Sequence, residues 1–170
     1  MAFTMPELIV SVALLTLLLL GGSSFYIFSL TSFASMTNYS ELNSKSRMAS
    51  DMISRDVRAA LSVGSATTSN QLVLTAFDGT NVTYNFNSAG GTLTRTKAGD
   101  SRTLLKGISN FTFSLYQRPA SPSAGYEQFP TGTAANAKLV GFQWTCSRSV
   151  SGPQNDSETT QMAIVELRNQ

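Results

Sequence analysis

One carboxylate, Glu7, heads an apolar run in which no other charged residue occurs before Glu41. An ionised carboxylate in hydrocarbon costs at least about 2.5 kcal/mol, so an acid in such a place usually marks a partner or a function. The simpler alternative is that Glu7 lies at the level of the lipid headgroups, where water solvates it. Glu7 is therefore the first candidate for chemistry in this chain.

Other candidates are few, because the 170-residue chain has no histidine and a single cysteine. Without imidazole, Ser-His and Cys-His nucleophile pairs and His-bearing zinc sites are excluded, and we expect neither an enzyme nor a cofactor. Cys146 cannot form an internal disulfide, and we interpret it as a small apolar residue beside Trp144. Asp156 and Glu158 are weak candidates for a calcium site in residues 147–160, against the simpler interpretation of a hydrophilic loop.

Composition narrows the class of protein further. Charged residues make up 13 % of the chain, against roughly 25 % in ordinary soluble domains. The formal net charge is +2 and the Lys and Arg residues are scattered, which does not indicate a nucleic-acid partner. A surface rich in Ser, Thr, Asn and Gly suits an exported protein with one globular unit.

The apolar run predicts a membrane helix. Residues 8–30 are dominated by Leu, Val, Ile and Phe, and about 20 such residues span the roughly 30 Å hydrocarbon core of a bilayer. A cleaved secretory signal is a poorer interpretation, because residues 1–6 carry no Lys or Arg and the apolar run continues past Gly21 and Gly22. Pro6 is compatible with the first helical turn. Membrane lipid is therefore an expected partner.

The segment FTMPELIV, residues 3–10, resembles the amino-terminal methylation motif of type IV prepilins and type II secretion pseudopilins. The resemblance implies that a prepilin peptidase cuts between Ala2 and Phe3 and methylates the new amine of Phe3. It also implies that Glu7, fifth in the mature chain, meets the free amine of a neighbouring subunit during assembly. Gly usually precedes the cut, where this chain has Ala2. Residues 1–2 would be a leader remnant, so either the true start lies upstream or the leader has been trimmed.

We expect the helix to continue beyond the membrane. Residues 3–30 would form the transmembrane and filament-core part, and residues 31–63 an amphipathic extension that ends near residue 62 with Gly64 as a stop signal. One face of the extension should pack on a sheet, and two i,i+4 ion pairs should lie on the solvated face. The packing face comprises Ala49, Ile53, Val57 and Ala60, and the pairs are Glu41 with Lys45 and Asp51 with Arg55.

Residues 64–170 predict a β-rich periplasmic domain. Short runs alternate between apolar and polar residues, as half-buried strands require, and one antiparallel sheet packed against the helix is the economical arrangement. The predicted fold is therefore α+β, a pilin-like lollipop. Residues 118–137 predict a long loop that either contacts a neighbouring subunit or is simply solvated. The predicted strands begin with QLVLTAF, VTYNF and TLTRT and continue with NFTFSLYQ, KLVGFQWTC and QMAIVELRN.

The resemblance favours a minor filament subunit. Residues 47–60, which include MASDMISRDVRAA, are similar to the J-type pseudopilins and the W-type minor pilins. This implies a single-pass protein of the bacterial inner membrane that joins a type II secretion pseudopilus, a type IV pilus or a competence filament. Its implied partners are other pilin or pseudopilin subunits, the prepilin peptidase and the inner-membrane assembly platform. A major filament subunit and a membrane-anchored periplasmic binding domain remain as alternatives.

Overall fold

A computed structural model gives the fold of residues 4–117, 129–130, 133–148 and 157–168. Within these residues a long helix is followed by antiparallel strands, which confirms the predicted α+β class and its lollipop-like arrangement. We call the helix the stem and the chain from Ala60 onward the body.

The stem, α1, runs unbroken from Met5 to Ala59. Its 55 residues correspond to about 82 Å at 1.5 Å per residue. Thr4 is the N-cap, and Pro6 lies in the first turn, where its missing N–H has no intrahelical partner. Ala60 takes an extended conformation and starts the first strand directly. The helix therefore ends slightly earlier than the sequence predicts.

Among the described residues, the first five strands form one antiparallel sheet in sequential order. Gly64 follows β1, packed against Val73, and does not terminate the helix as predicted. Ala98 (φ 50°) and Gly99 (φ 86°) form the turn from β4 to β5, and positive φ at both central residues is typical of a tight hairpin turn. The strands are β1 Ala60–Val63, β2 Gln71–Ala76, β3 Asn81–Asn87, β4 Thr92–Lys97 and β5 Asp100–Lys106.

The other described strands form a second antiparallel sheet in the order β7-β6-β8-β9. The prediction of a single sheet is wrong, because the chain leaves the first sheet between β5 and β6 at Gly107 (φ 76°). A Cβ at Gly107 would lie 2.8 Å from the carbonyl oxygen of Ser147, so glycine is required there. The strands are β6 Ile108–Gln117, β7 Phe129–Pro130, β8 Leu139–Arg148 and β9 Ser157–Glu166, and a 3-10 turn spans Ala134–Asn136.

The two sheets share one core. The backbone N–H of Phe113 in β6 donates to the Ser69 carbonyl at 2.8 Å, and that of Phe86 in β3 donates to the Asn70 carbonyl at 2.8 Å. Phe86 also stacks on Phe111 with ring centroids 4.9 Å apart. Side chains from both sheets therefore belong to the same apolar cluster.

The carboxyl-terminal part of the stem packs on this body, as predicted. Its most extensive contacts are with β9, β8, β5 and β2. The apolar residues predicted for the packing face are all buried: three recur about once per helical turn on the side of the stem that faces the sheets, and the fourth, Ala60, is the first residue of β1. Those residues are Ala49, Ile53, Val57 and Ala60.

Candidate assembly surface

The large apolar side chains in the amino-terminal part of the stem are exposed. Large apolar side chains from Met5 to Tyr39 retain at least half of their accessible surface, and Leu42 is the first stem residue that the body buries. We call residues 5–41 the upper stem and residues 42–59 the lower stem. In the described part of the chain, α1 is the one helix long and apolar enough to cross a membrane.

The uncharged part of the upper stem is longer than a bilayer is thick. The residues between Glu7 and Glu41 extend about 50 Å as a helix, against roughly 30 Å of hydrocarbon. If Glu7 lies at one interface, Phe33, Met36 and Tyr39 lie beyond the other, and they are 66 %, 72 % and 51 % exposed. The described part of the body therefore leaves at least half of each of these side chains exposed, and the hydrocarbon core of a bilayer of ordinary thickness does not reach them.

Glu7 lies in the first turn of the stem, where its side chain can reach the end of the helix. The backbone N–H of Thr4 donates to Glu7 Oε2 at 3.5 Å, and the Glu7 N–H donates to the Thr4 carbonyl at 3.1 Å. The Glu7 side chain thus forms its half of a capping box, whereas the Thr4 side chain makes no cap hydrogen bond. This role is not among the sequence predictions, although Thr followed three residues later by Glu is its usual signature. Glu7 therefore has a local role in starting the helix besides its predicted role in assembly.

Of the remaining predicted site residues, the structure describes Glu158 alone. Ala2, Phe3 and Asp156 lie outside the described residues. Glu158 was predicted in a loop, but it is an exposed residue of β9 paired in register with Ser147. Within the ranges that the structure describes, no cluster of three or more His, Cys, Asp or Glu residues could hold a metal ion. Glu158 therefore belongs to no such cluster among the described residues.

The lower stem is held by a buried polar contact as well as by apolar packing. Trp144 Nε1 in β8 donates to Ser46 Oγ in the stem at 2.6 Å, and both residues are fully buried. Such a contact fixes the rotation of the helix, because a buried indole N–H without a partner is costly. Cys146 is buried two residues further along β8, as predicted, and burial raises the pKa of its thiol to about 11.

A second polar cluster fixes the carboxyl-terminal end of the stem. Asp56 Oδ2 accepts hydrogen bonds from the Tyr84 hydroxyl at 2.5 Å and from Arg95 Nε at 2.7 Å. Burial and then the Asp56 carboxylate raise the pKa of Tyr84 above its usual range, and the same carboxylate raises the pKa of Arg95. Tyr84 and Arg95 are paired in register on β3 and β4, so the cluster ties the stem to the first sheet.

A third contact marks the boundary between the upper and lower stem. Arg148 Nη1 at the end of β8 donates to Glu41 Oε2 at 2.8 Å and to Asn38 Oδ1 at 3.3 Å. Lys45 Nζ contacts Glu41 Oε1 at 2.6 Å, as predicted. Hydrogen bonds from Lys45 and then Arg148 hold the pKa of Glu41 below its usual value. The contacts of Arg148 with the stem therefore lie within one helical turn of Glu41.

The second predicted ion pair of the stem is not formed, and three polar contacts between the stem and the body were not predicted from the sequence. Asp51 and Arg55 are both exposed, and no ion pair joins them within the described chain. The unforeseen contacts involve Ser46, Asp56 and Arg148, whose partners are far away in sequence. No short-range signal could have shown them, because strand register decides which side chains meet the stem.

Comparisons of the chain with protein-family models, curated proteins and solved structures give no match.

Proposed function

We propose that this chain is a non-enzymatic, pilin-like subunit of a type II secretion pseudopilus or a type IV pilus. The upper stem carries this proposal, because its apolar surface exceeds what a bilayer and the body can cover together. A large exposed apolar surface on a protein usually marks an interaction site. Packing of several such stems in a filament core would bury it. A membrane-anchored binding domain would leave Phe33, Met36 and Tyr39 in water.

The proposed role of Glu7 is to pair with the amine of a neighbouring subunit. The resemblance of residues 3–10 to the methylation motif supports this role, with prepilin peptidase cutting before Phe3. A carboxylate left alone among apolar helices is costly, whereas one that meets a cation there is compensated. The pair would therefore set the register between neighbouring stems, which are otherwise apolar.

We place the subunit in the bacterial inner membrane before assembly, with its body in the periplasm. The similarity of residues 47–60 to J-type pseudopilins and W-type minor pilins supports a minor subunit that helps to initiate or complete the filament. Its partners would be the other filament subunits and the inner-membrane assembly platform. Counting its copies against the other subunits of purified filaments tests this point, and high abundance would make it a major subunit.

Two substitutions at Glu7 separate its assembly role from its capping role. Glu7→Gln keeps a side chain that can cap the helix but removes the charge, whereas Glu7→Ala removes both. We expect both variants to reach the membrane fraction and both to be lost from filaments sheared from cells. The measurement is the amount of the chain in each fraction, together with the mass of its amino-terminal peptide to detect cleavage and methylation.

The glutamine variant decides between the two roles. If Glu7→Gln assembles as well as the unmodified chain, Glu7 acts only as a cap and its pairing role is wrong. If the unmodified chain is absent from filaments in cells that make them, the filament proposal itself is wrong.

A further inference from the structure

The side of the lower stem that faces away from the body carries a row of arginines. Arg47, Arg55 and Arg58 are exposed there, with Asp51 between them. Arg168, next to the end of the described chain, adds a further guanidinium to the same surface. We call these five residues the outer stem face. Its carboxyl-terminal half is a shallow groove of about 520 Å³, lined by Asp51, Ser54, Arg55, Arg58, Ala59 and Arg168.

The outer stem face has an excess of positive charge. Its four arginines face one carboxylate, and none of the four takes part in an ion pair with the described residues. Arg95 and Arg148, by contrast, both bind carboxylates of the stem. The guanidinium groups of the outer stem face are therefore available for carboxylates of another molecule, which they can bind through two parallel hydrogen bonds.

Lipid headgroups are not the partner that fits this face. Arg47 follows Glu7 by 40 residues, about 60 Å along the helix, which is twice the thickness of the hydrocarbon core. With Glu7 near one interface, the arginines lie well beyond the other. A Debye length is only about 8 Å at physiological salt, so the charge of the lipid surface does not reach them.

A second copy of this chain does not fit either. A twofold contact would place arginines against arginines, because both copies present the same surface. The exposed carboxylates on the described part of the body are dispersed over a turn and two strands, with no row that matches the stem. Asp78 is in addition held by Thr80, whose backbone N–H donates to it at 2.9 Å. The dispersed carboxylates are Asp78, Asp100, Glu158 and Glu166.

We infer that the outer stem face docks an acidic helix face of a different filament subunit. This rests on the proposed function, and it adds that the neighbour is not this chain and that it presents Asp or Glu residues in a row. The spacing of Arg47, Arg55 and Arg58 corresponds to separations of about 12 and 4.5 Å along the helix. Matching carboxylates on the neighbour would therefore lie about two turns and one turn apart. Like charges across such a contact would exclude a second copy.

The test uses the full-length chain in cells that assemble the filament, with a photo-crosslinking amino acid at Ser54 as the probe. We expect a crosslink to one other subunit, at a helical peptide that contains Asp or Glu. Arg55→Glu with Arg58→Glu should reduce its yield more than about tenfold, and Arg55→Lys with Arg58→Lys should retain most of it. Arg102→Glu with Lys106→Glu is the matched control, since it changes the net charge equally at exposed positions of β5.

A reciprocal substitution completes the test. Changing the crosslinked carboxylates of the neighbour to Arg should restore the crosslink to the Arg55→Glu, Arg58→Glu variant. The inference is wrong if the crosslink joins two copies of this chain, if it is absent, or if the charge reversal leaves it unchanged. In those cases the filament proposal stands as long as the chain is recovered in sheared filaments and requires Glu7. Absence of the chain from the filaments overturns both.

Discussion

The upper and lower stem are parts of one unbroken helix, yet the body buries apolar side chains of the lower stem and leaves those of the upper stem exposed. Ile27 in the upper stem is 61 % exposed, whereas Ile53 in the lower stem is completely buried. The lower stem alternates apolar residues facing the body with charged residues facing outward. The large apolar side chains of the upper stem remain exposed and do not form a single face that is matched to the body. The body of the same chain covers the apolar face of the lower stem, whereas the apolar surface of the upper stem needs lipid and other helices to cover it.

The polar contacts of the stem follow the same division, apart from Asn38 and Glu41 at the end of the upper stem, which accept hydrogen bonds from Arg148 of the body. Hydroxyl groups of the upper stem bond to their own helix, as when Ser11 Oγ donates to the Glu7 carbonyl at 2.8 Å and Thr16 Oγ1 to the Val12 carbonyl at 2.6 Å. Side chains of the lower stem bond to the body, as Ser46 does with Trp144. Hydroxyl groups that bond to their own helix need no other hydrogen-bond partner, which suits a helix surrounded by lipid or by other apolar helices. Hydroxyls and carboxylates that reach the sheets fix one docking geometry.

The largest expected effect comes from truncating the same residue type in the two regions. Ile53→Ala should lower the free energy of unfolding of the body by about 2–5 kcal/mol, because it leaves a cavity under the docked helix. Ile27→Ala should change it by less than about 0.5 kcal/mol, because the body does not touch that side chain. Denaturant unfolding of the full chain in mild detergent, followed by Trp144 fluorescence, measures both. Equal losses in the two variants would show that the division of the stem is wrong.

The buried face of the stem could be predicted from the helical spacing of its apolar residues, whereas two strands of the body lack a pattern that predicts a strand. Ala49, Ile53 and Val57 repeat at helical spacing, so the buried face was visible in the sequence. β5 was missed because its first residues, Asp100 to Thr103, are polar and lie on an exposed edge of the sheet. β1 was missed because Ala60 follows the helix without a linker, and its apolar residues continue the helical pattern.

The same limit applies to the candidate site. Glu7 is evident from sequence because it is an isolated charge in an apolar run. Its partner in the proposed filament belongs to another molecule, so neither this sequence nor this fold displays it. The contact between Asp56 and Arg95 joins residues 39 positions apart, and only the register of β3 and β4 brings it about.

A smaller effect should report how well the lower stem excludes water from the body. The pKa of the Cys146 thiol is raised from 9.0 to about 11 by burial, so the unfolded chain loses this proton first as the pH rises. The stabilisation is complete below pH 9 and is lost as the pH rises through about 11. It amounts to roughly 1 kcal/mol at pH 10 and roughly 3 kcal/mol in total.

Unfolding of the full chain between pH 8 and pH 10 measures this loss. Cys146→Ala removes the thiol, so its stability should fall by roughly 1 kcal/mol less over this interval. Above pH 10 the raised pKa of Tyr84 destabilises the folded state in the same direction, which is why the comparison stops there. Parallel profiles for the two proteins would mean that water reaches Cys146 beneath the stem.

The smallest effect is a coupling energy, which distinguishes two carboxylates of the lower stem that differ in their surroundings. Asp56→Asn should cost about 1.5 kcal/mol, because Arg95 loses its ionic partner in a largely buried contact. Asp51→Asn, at an exposed position without an ion-pair partner among the described residues, should change the stability by less than about 0.5 kcal/mol. A double-mutant cycle with Arg95→Gln should give a coupling of at least about 0.5 kcal/mol with Asp56 and none with Asp51. Equal coupling to both carboxylates would mean that the charge of the stem acts at long range, whereas coupling to Asp56 alone requires a docked helix with a fixed rotation.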